Sequence, residues 1–112
     1  MSPQSAGLSP QSLFVVILRY LVPMEQIDAH RSGHLAFLDQ HYATGTLLVS
    51  GRQVPATGGV LLAKAPARQV LEAILRQDPF SIEKLAEYQV FEFTPNRYSS
   101  AFAPCLAASL VS

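Results

Sequence analysis

The residues best suited to chemistry in this sequence are His34 and Asp78. His34 lies in a segment with the apolar spacing of an amphipathic helix, and Asp78 begins an Asp-Pro-Phe turn just after a second such segment. An aspartate that accepts the N–H of an imidazole fixes its tautomer and stabilises the imidazolium ion, so the histidine can act as a general base near neutral pH. If the fold brings the two side chains together, they form a candidate acid/base pair.

Both residues also have a purely structural interpretation. His34 on the apolar face of a helix is equally typical of a core histidine that donates to a backbone carbonyl. Asp78 before Pro79 is a favourable N-cap for a short helical turn that includes Ser81 and Glu83. The sequence alone leaves the structural and the functional interpretation open for both residues.

Three more residues are candidate contacts for a substrate. Arg31 stands in the predicted inward stripe of the first helix; the stripe comprises Ile27, Arg31, Leu35, Leu38 and Tyr42, with His30 and His41 at its margin. Because an unpaired guanidinium is costly to bury, we expect Arg31 to pair with a carboxylate such as Asp78, bind an anionic ligand, or reach solvent along the helix edge. Ser50 ends the second predicted strand, and Arg52 follows it.

No metal site and no cofactor are predicted. His30 and His34 are one helical turn apart, but Arg31 stands where a zinc-protease helix has its glutamate. His41 lies ~10 Å further along the axis, too far for the same ion. Cys105 is the single cysteine, which excludes an internal disulfide, and no base lies near it in sequence. The sequence also has no Gly-x-Ser-x-Gly elbow and no phosphate-binding loop.

The composition fits one domain with an apolar surface. The chain has 112 residues, of which 49% are hydrophobic and 14% charged, whereas roughly one quarter is charged in ordinary soluble domains. So little charge predicts a partner chain. Eight basic and eight acidic residues balance without a basic stripe, so nucleic-acid binding lacks its electrostatic signature. No apolar run approaches the ~20 residues of a membrane span or resembles a secretion signal. We therefore predict a cytoplasmic protein that does not bind membranes.

The predicted elements follow the order β-α-β-β-α-β. They are a strand at 13–18, a helix from Pro23 to Ala43 ended by Gly45, strands at 46–50 and 60–63, a helix at 67–77 and a strand at 86–93. Two right-handed βαβ units that share one sheet predict an α+β fold, the ferredoxin-like sandwich, with a four-stranded antiparallel sheet and both helices on one face. Residues 1–12 are predicted to be a disordered lead-in, 13–98 the folded domain, and 99–112 a tail whose order the sequence does not decide.

The apolar strands predict a homodimer. Two helices cover only one face of the sheet, yet the first three strands are apolar on both faces. Each large side chain left in solvent forgoes ~1.5–3 kcal/mol of burial. Stacking two sheets face to face removes this cost and gives a dimeric α+β barrel. We expect His34 to face a cavity that the two subunits share.

With these residues in place, the chain resembles the YciI-like (YCII-related) family of dimeric α+β barrel proteins. The likeness covers about residues 13–98, and its individual motifs are short. The matching features are the opening strand, Arg31-x-x-His34-Leu35, Gly45-x-Leu47-Leu48-x-Ser50-Gly51, Asp78-Pro79-Phe80, and the strand from Tyr88 to Phe93. The resemblance implies a ferredoxin-like protomer, a homodimer, and a histidine–aspartate pair that lines a pocket, here His34 and Asp78. Arg52 is a departure, because family members commonly have proline there.

The resemblance also implies small-molecule chemistry of the lyase or isomerase kind. The leading hypothesis is an enzyme in which His34 is the general acid or base, Asp78 orients it, and Arg31, Ser50 and Arg52 contact a small anionic or enolic substrate. The alternative is a non-catalytic domain that binds a small molecule or serves regulation, since the fold alone does not select a function. An oxygenase of the related barrel type is a third possibility that no feature of the sequence favours.

Overall fold

The computed structural model describes residues 12–107 of the chain. Most of the predicted lead-in and the last five residues of the predicted tail therefore lie outside the described residues. The elements in chain order are β1 (Ser12–Tyr20), α1 (Met24–Ala29), α2 (Arg31–Ala43), β2 (Leu47–Arg52), β3 (Gly58–Ala65), α3 (Arg68–Leu75), α4 (Pro79–Ile82), β4 (Ala86–Phe93) and α5 (Ala103–Ala107). The order of these elements through β4 is that of the predicted fold.

The four strands form one antiparallel sheet in the order β2-β3-β1-β4. β1 lies between β3 and β4, with Val16 opposite Leu61 on one side and Val90 on the other. This arrangement with its helices is the α+β ferredoxin-like fold, so the predicted fold class is confirmed. β2 and β3 extend two residues further into the intervening loop than the sequence predicted.

The core lies between the helices and one face of the sheet. Alternation along β1 turns Phe14, Val16 and Leu18 into this core, and each is almost completely buried. The remaining buried members of the core cluster are Ile27, Phe37, Leu38, Leu47, Leu61, Ala63, Ala65, Leu71, Leu75, Phe80, Leu85 and Ala86. Every helix from α1 to α4 contributes at least one side chain, so the core fixes the positions of all four on the sheet.

The first predicted helix is interrupted at His30, which separates α1 from α2. The backbone of His30 leaves helical geometry at φ −111° and ψ 9°. The side chains that α2 turns toward the sheet then follow i, i+3, i+4 and i+7 spacing: His34, Phe37, Leu38 and His41. The predicted stripe was therefore wrong for Leu35 and Tyr42, which are exposed, and for His41, which is buried. Ile27, His34 and His41 are spaced seven residues apart and so share one face, whereas the predicted stripe was centred further round the helix.

Two glycines determine how α2 meets its neighbours. Gly45 has φ +82° and ends α2, as the sequence predicted. Gly33 faces Pro79 so closely that an added Cβ would lie 3.1 Å from the proline Cγ. Gly33 thus lets α2 and α4 pack tightly, and this contact places the residue after Gly33 beside the residue before Pro79.

The face of the sheet away from α1–α4 carries a row of apolar side chains. Phe91, Val15, Leu62 and Val49 are successive partners across β4, β1, β3 and β2. Val49 and Phe91 remain 56% and 47% exposed. We call these four residues the open-face row. The sequence therefore indicated correctly that the sheet is apolar beyond the face that the helices cover.

The segment after β4 crosses one end of this open face. Lys64 is buried there, and its Nζ donates to the carbonyl oxygen of Cys105 in α5 at 2.6 Å. Burial lowers the pKa of Lys64, and the nearby Cys105 opposes that shift. The domain boundary at residue 98 stays a prediction. No helix within residues 12–107 is long and apolar enough to cross a membrane, and the cytoplasmic location also stays a prediction.

Candidate functional site

The centre of the site is the carboxylate of Asp78, which is completely buried. Both of its oxygens lie within hydrogen-bond distance of His34 Nδ1, at 2.9 and 3.0 Å. Oδ1 also accepts from the backbone N–H of Phe80 at 3.0 Å, and Oδ2 accepts from the hydroxyl of Tyr88 at 2.5 Å. Three donors from α2, α4 and β4 therefore converge on one carboxylate.

Local sequence explains the position of Asp78. Its backbone is extended, with φ −66° and ψ 129°, and Pro79 follows as the first residue of α4. Proline disfavours helical geometry in the residue before it, and aspartate at that position can accept a free N–H of the first turn. Asp78 therefore fits the structural and the functional interpretation at once. Its Oδ1 caps α4 and also lies within hydrogen-bond distance of His34 Nδ1.

His34 presents its ring between this carboxylate and a cavity. Its side chain is 12% exposed, and its ring stacks on that of Phe80 with centroids 4.1 Å apart and planes 6° apart. An ionised carboxylate only accepts hydrogen bonds, so Nδ1 carries the proton in this contact. In the neutral imidazole, Nε2 is then the nitrogen with a free lone pair, and it is the atom that can accept a proton from a ligand.

Tyr88 is the member of this cluster that sequence reasoning missed. Burial raises its pKa far above the usual value, and the charge of Asp78 and the hydrogen bond to it raise it further. The phenol therefore stays protonated and donates to the carboxylate. Its sequence signal is weak: alternation along β4 places Ala86, Tyr88 and Val90 on the core side, but nothing local indicates which of them meets Asp78.

A cavity of about 210 Å³ opens beside His34. Its polar lining comes from Arg31, His34, Ser50 and Arg52. The apolar and glycine lining consists of Leu18, Tyr20, Leu35, Leu38, Gly51, Gly59, Leu61 and Phe80. The lining residues lie on the helix side of the sheet. A cavity enclosed by two stacked sheets would lie on the other side, so the structure does not place His34 between two sheets; a cavity shared by two subunits stays a prediction.

The two arginines at the cavity differ in their charge partners. Arg31 donates to Asp28 Oδ1 from Nε at 3.1 Å and from Nη2 at 2.6 Å, and not to Asp78 as one sequence-based option had it. Arg52 forms no ion pair with any carboxylate of residues 12–107. Arg52 therefore contributes a positive charge to the cavity that no described side chain neutralises.

The remaining predicted residues are placed as follows. Ser50 lines the cavity, and its hydroxyl hydrogen-bonds to that of Tyr42. His30 Nδ1 donates to the backbone carbonyl of Gln26 at 3.1 Å, so it does not join His34. Within the described range, no three His, Cys, Asp or Glu side chains are grouped so that they could hold a metal ion.

Comparison with known proteins connects this arrangement to a family. The chain is similar in structure to 5-chloro-2-hydroxyhydroquinone dehydrochlorinase from Burkholderia phenoliruptrix AC1100, solved in complex with 2,5-dihydroxybenzoquinone. The TM-score is 0.61 at 20% sequence identity, and the match covers 78% of this chain and 93% of that one. A likeness at this identity shows the fold alone. No curated protein sequence matches the chain.

The family itself is shown by sequence. Residues 13–94 match the model of the family described as the YCII-related domain. The matched range includes β1 from its second residue, β2, β3 and β4, and every residue of the His34–Asp78–Tyr88 cluster. The chain therefore belongs to the YCII-related domain family.

Proposed function

We propose that this protein is a small-molecule enzyme in which His34 is the general base or acid and Asp78 is the carboxylate that orients it. The reaction class is a lyase or isomerase step: removal of a proton next to a carbonyl or enol, followed by elimination or rearrangement. The observation that carries the proposal is the buried carboxylate bonded to Nδ1 of an imidazole that lines a cavity. This arrangement is the one that makes Nε2 a base.

The charge distribution of the cavity supports an anionic substrate. Arg31 is already paired with Asp28, whereas the charge of Arg52 has no partner among the described carboxylates. An anionic group on the substrate would supply that partner. As a proton leaves for Nε2 of His34, negative charge develops on the substrate oxygen, and a cation or hydroxyl nearby stabilises it. Arg52, Arg31 and Ser50 are our candidates for that role.

The structural neighbour is consistent with this class of reaction. It is named as a dehydrochlorinase and was solved with a dihydroxybenzoquinone. Dehydrochlorination is an elimination that removes a proton and a chloride, so it needs a base but no redox step. We extend to the present chain the reaction class, a base-assisted elimination or isomerisation, and not that substrate.

The proposal is tested by hydrogen exchange at carbon. The full chain is incubated in D₂O with enolisable acids, beginning with pyruvate, oxaloacetate and 2-oxoglutarate, and proton NMR follows deuterium entry next to the carbonyl. We expect at least one acid to exchange faster with protein than without it, because a positioned general base contributes about 10²–10⁴-fold. Methyl pyruvate is the uncharged comparison, and the protein should accelerate its exchange less than that of pyruvate, because it offers no anion to Arg52.

Measured binding without accelerated exchange for any acid of the panel would contradict the enzyme. It would instead support the alternative of a non-catalytic binding or regulatory domain that uses the same cavity. Equal acceleration of pyruvate and its methyl ester would contradict the role of Arg52 in recognising an anion and leave the role of His34 standing.

We also propose that the protein is a homodimer joined through the open-face row. Val49 and Phe91 remain about half exposed, so each forgoes roughly half of the ~1.5–3 kcal/mol that full burial of a large apolar side chain contributes. Because strands pair these residues directly across all four members of the sheet, the row is continuous from edge to edge. A second copy of the same face buries the row, as in the dimeric barrel that the sequence predicted.

Replacing Phe91 with Glu is expected to convert the dimer to monomers. The substitution places a charge at the β4 end of the open-face row, whereas Phe91 does not line the cavity of the same chain. Light scattering coupled to size-exclusion chromatography at micromolar concentration measures the mass. Val70→Glu, on the exposed side of α3, is the matched control and should leave the mass unchanged. A monomeric parent protein would contradict the proposal outright.

A further inference from the structure

We propose that Tyr88 is a positioning residue whose hydrogen bond stabilises the negative charge on Asp78 and thereby lowers the affinity of the His34 imidazole for a proton. The catalytic meaning of this role rests on the proposed function, although its effect on the imidazole is measurable without a substrate. The sequence indicated Tyr88 only as the start of a strand, and it does not line the cavity beside His34. Its hydroxyl acts through Asp78 Oδ2.

Within residues 12–107, the surroundings of Asp78 supply hydrogen bonds and no lysine or arginine charge. Its side chain is completely buried, and no Lys or Arg of the described residues forms an ion pair with it. A buried carboxylate without a cation depends on hydrogen-bond donors to remain charged. Its donors are His34 Nδ1, the Phe80 N–H and the Tyr88 hydroxyl, and only the last two remain independent of the state of the imidazole.

The net charge of the His34–Asp78 pair depends on the protonation of the imidazole. When the imidazole is neutral, His34 and Asp78 together carry one negative charge; when it is protonated, their charges cancel. A hydrogen bond from Tyr88 to the carboxylate favours both states, but it favours the first more, because that charge is then uncompensated. The tyrosine therefore shifts the pair toward the neutral imidazole. That is the form in which Nε2 can take a proton from a substrate.

Other groups near His34 do not account for this effect. Arg31 from its own helix and Arg52 from β2 line the same cavity, and both oppose a positive imidazole. His30 is one turn away and bonded to Gln26. The Phe80 ring covers one face of the imidazole and carries no charge. Each of these groups is unchanged when only the Tyr88 hydroxyl is removed.

The hydroxyl of Tyr88 is suited to this role because it keeps its proton. Burial and the neighbouring charge of Asp78 raise the pKa of Tyr88, so it remains a donor over the whole pH range in which an imidazole titrates. A donor that keeps its proton throughout this range stabilises the His34–Asp78 pair with neutral imidazole by the same amount at every pH. Its removal should shift the titration of the imidazole and leave the shape of the curve unchanged.

The experiment is an NMR titration of the full chain with ¹⁵N-labelled histidine, comparing the parent, Tyr88→Phe and Tyr98→Phe. The signal of His34 is assigned with His34→Asn. We expect Tyr88→Phe to move the His34 midpoint about 0.5–1 pH unit upward. Tyr98→Phe removes the hydroxyl of an exposed tyrosine outside the cluster and should not move it. In an Asp78→Asn background the Tyr88 substitution should have no effect, because the carboxylate through which it acts is gone.

A midpoint in Tyr88→Phe that coincides with the parent or falls below it would overturn the inference, and so would an equal upward shift in the Asp78→Asn background. Thermal unfolding of each variant separates lost stability from the titration, since a merely structural tyrosine lowers the melting temperature without moving the midpoint upward. The titration needs no substrate, so it can succeed when the enzyme proposal fails. If the protein accelerates exchange but the His34 midpoint does not move in Tyr88→Phe, the role of Tyr88 is contradicted and the proposed function is not.

Discussion

Replacing His34 with Asn is expected to lower turnover by about 10²–10⁴-fold, the usual contribution of a general base. Asparagine is close to the imidazole in size and can still hydrogen-bond to Asp78, but it has no nitrogen that accepts a proton near neutral pH. The measurement is kcat and kcat/KM on whichever acid of the exchange panel proves active. Loss of a base that acts in the chemical step lowers both kcat and kcat/KM, whereas loss of a side chain that only binds substrate raises KM.

The matched control is the same substitution one helical turn earlier. His30→Asn removes an imidazole that bonds to Gln26 and lies outside the cavity, and asparagine suits the N-cap position that His30 occupies in α2. We expect its turnover, mass and melting temperature to match the parent. Full turnover in His34→Asn on an authentic substrate would eliminate His34 as the base.

The sheet and its helices were predictable because their signals are local. Alternation and apolar runs indicated the four strands, and Gly45 and Pro79 indicated where one helix ends and another begins. The break at His30 was not predictable in this way. Neither glycine nor proline stands there, and the two helices are separated by one residue, so no local signal marked the break.

The site was predictable only in part, for a related physical reason. His34 and Asp78 are 44 positions apart in sequence, and what brings them together is the close packing of Gly33 on Pro79. Both residues were candidates because of their residue types and the residues next to them in sequence. The sequence offered Asp78, and not Asp28, as a carboxylate partner of Arg31, because the predicted stripe turned Arg31 toward the core. Tyr88 depends on strand register, which a single sequence does not reveal.

Substitutions of Asp78 should separate its two roles. Asp78→Asn is expected to lower turnover by about 10²–10⁴-fold with a loss of stability of about 1 kcal/mol or less, since asparagine is also a good N-cap for α4. The amide oxygen can accept from the Phe80 N–H, but the amide N–H₂ then points toward the imidazole. His34 Nδ1 must accept there, so the proton moves to Nε2 and the base is lost.

Asp78→Ala should lower turnover as much and stability far more. The alanine leaves the Phe80 N–H, the Tyr88 hydroxyl and the imidazole N–H without an acceptor at a point that solvent does not reach. Loss of the cap and of a buried charged acceptor together predicts a decrease of about 2–5 kcal/mol in the free energy of unfolding. Urea denaturation measures that decrease, and the ¹⁵N shifts of His34 report the tautomer in Asp78→Asn.

The contrast between these two variants is the sharper result. If the carboxylate acted only as a cap, asparagine would keep both stability and turnover, and alanine would lose stability alone. If it acted only on the imidazole, alanine would be nearly as stable as asparagine. One carboxylate accepts from the cap N–H, the imidazole and the tyrosine at once. We therefore expect turnover to fall equally in both variants, but the free energy of unfolding to fall much more in Asp78→Ala than in Asp78→Asn. Asparagine at full turnover with Nδ1 still protonated would contradict the proposed role of Asp78 in fixing the tautomer.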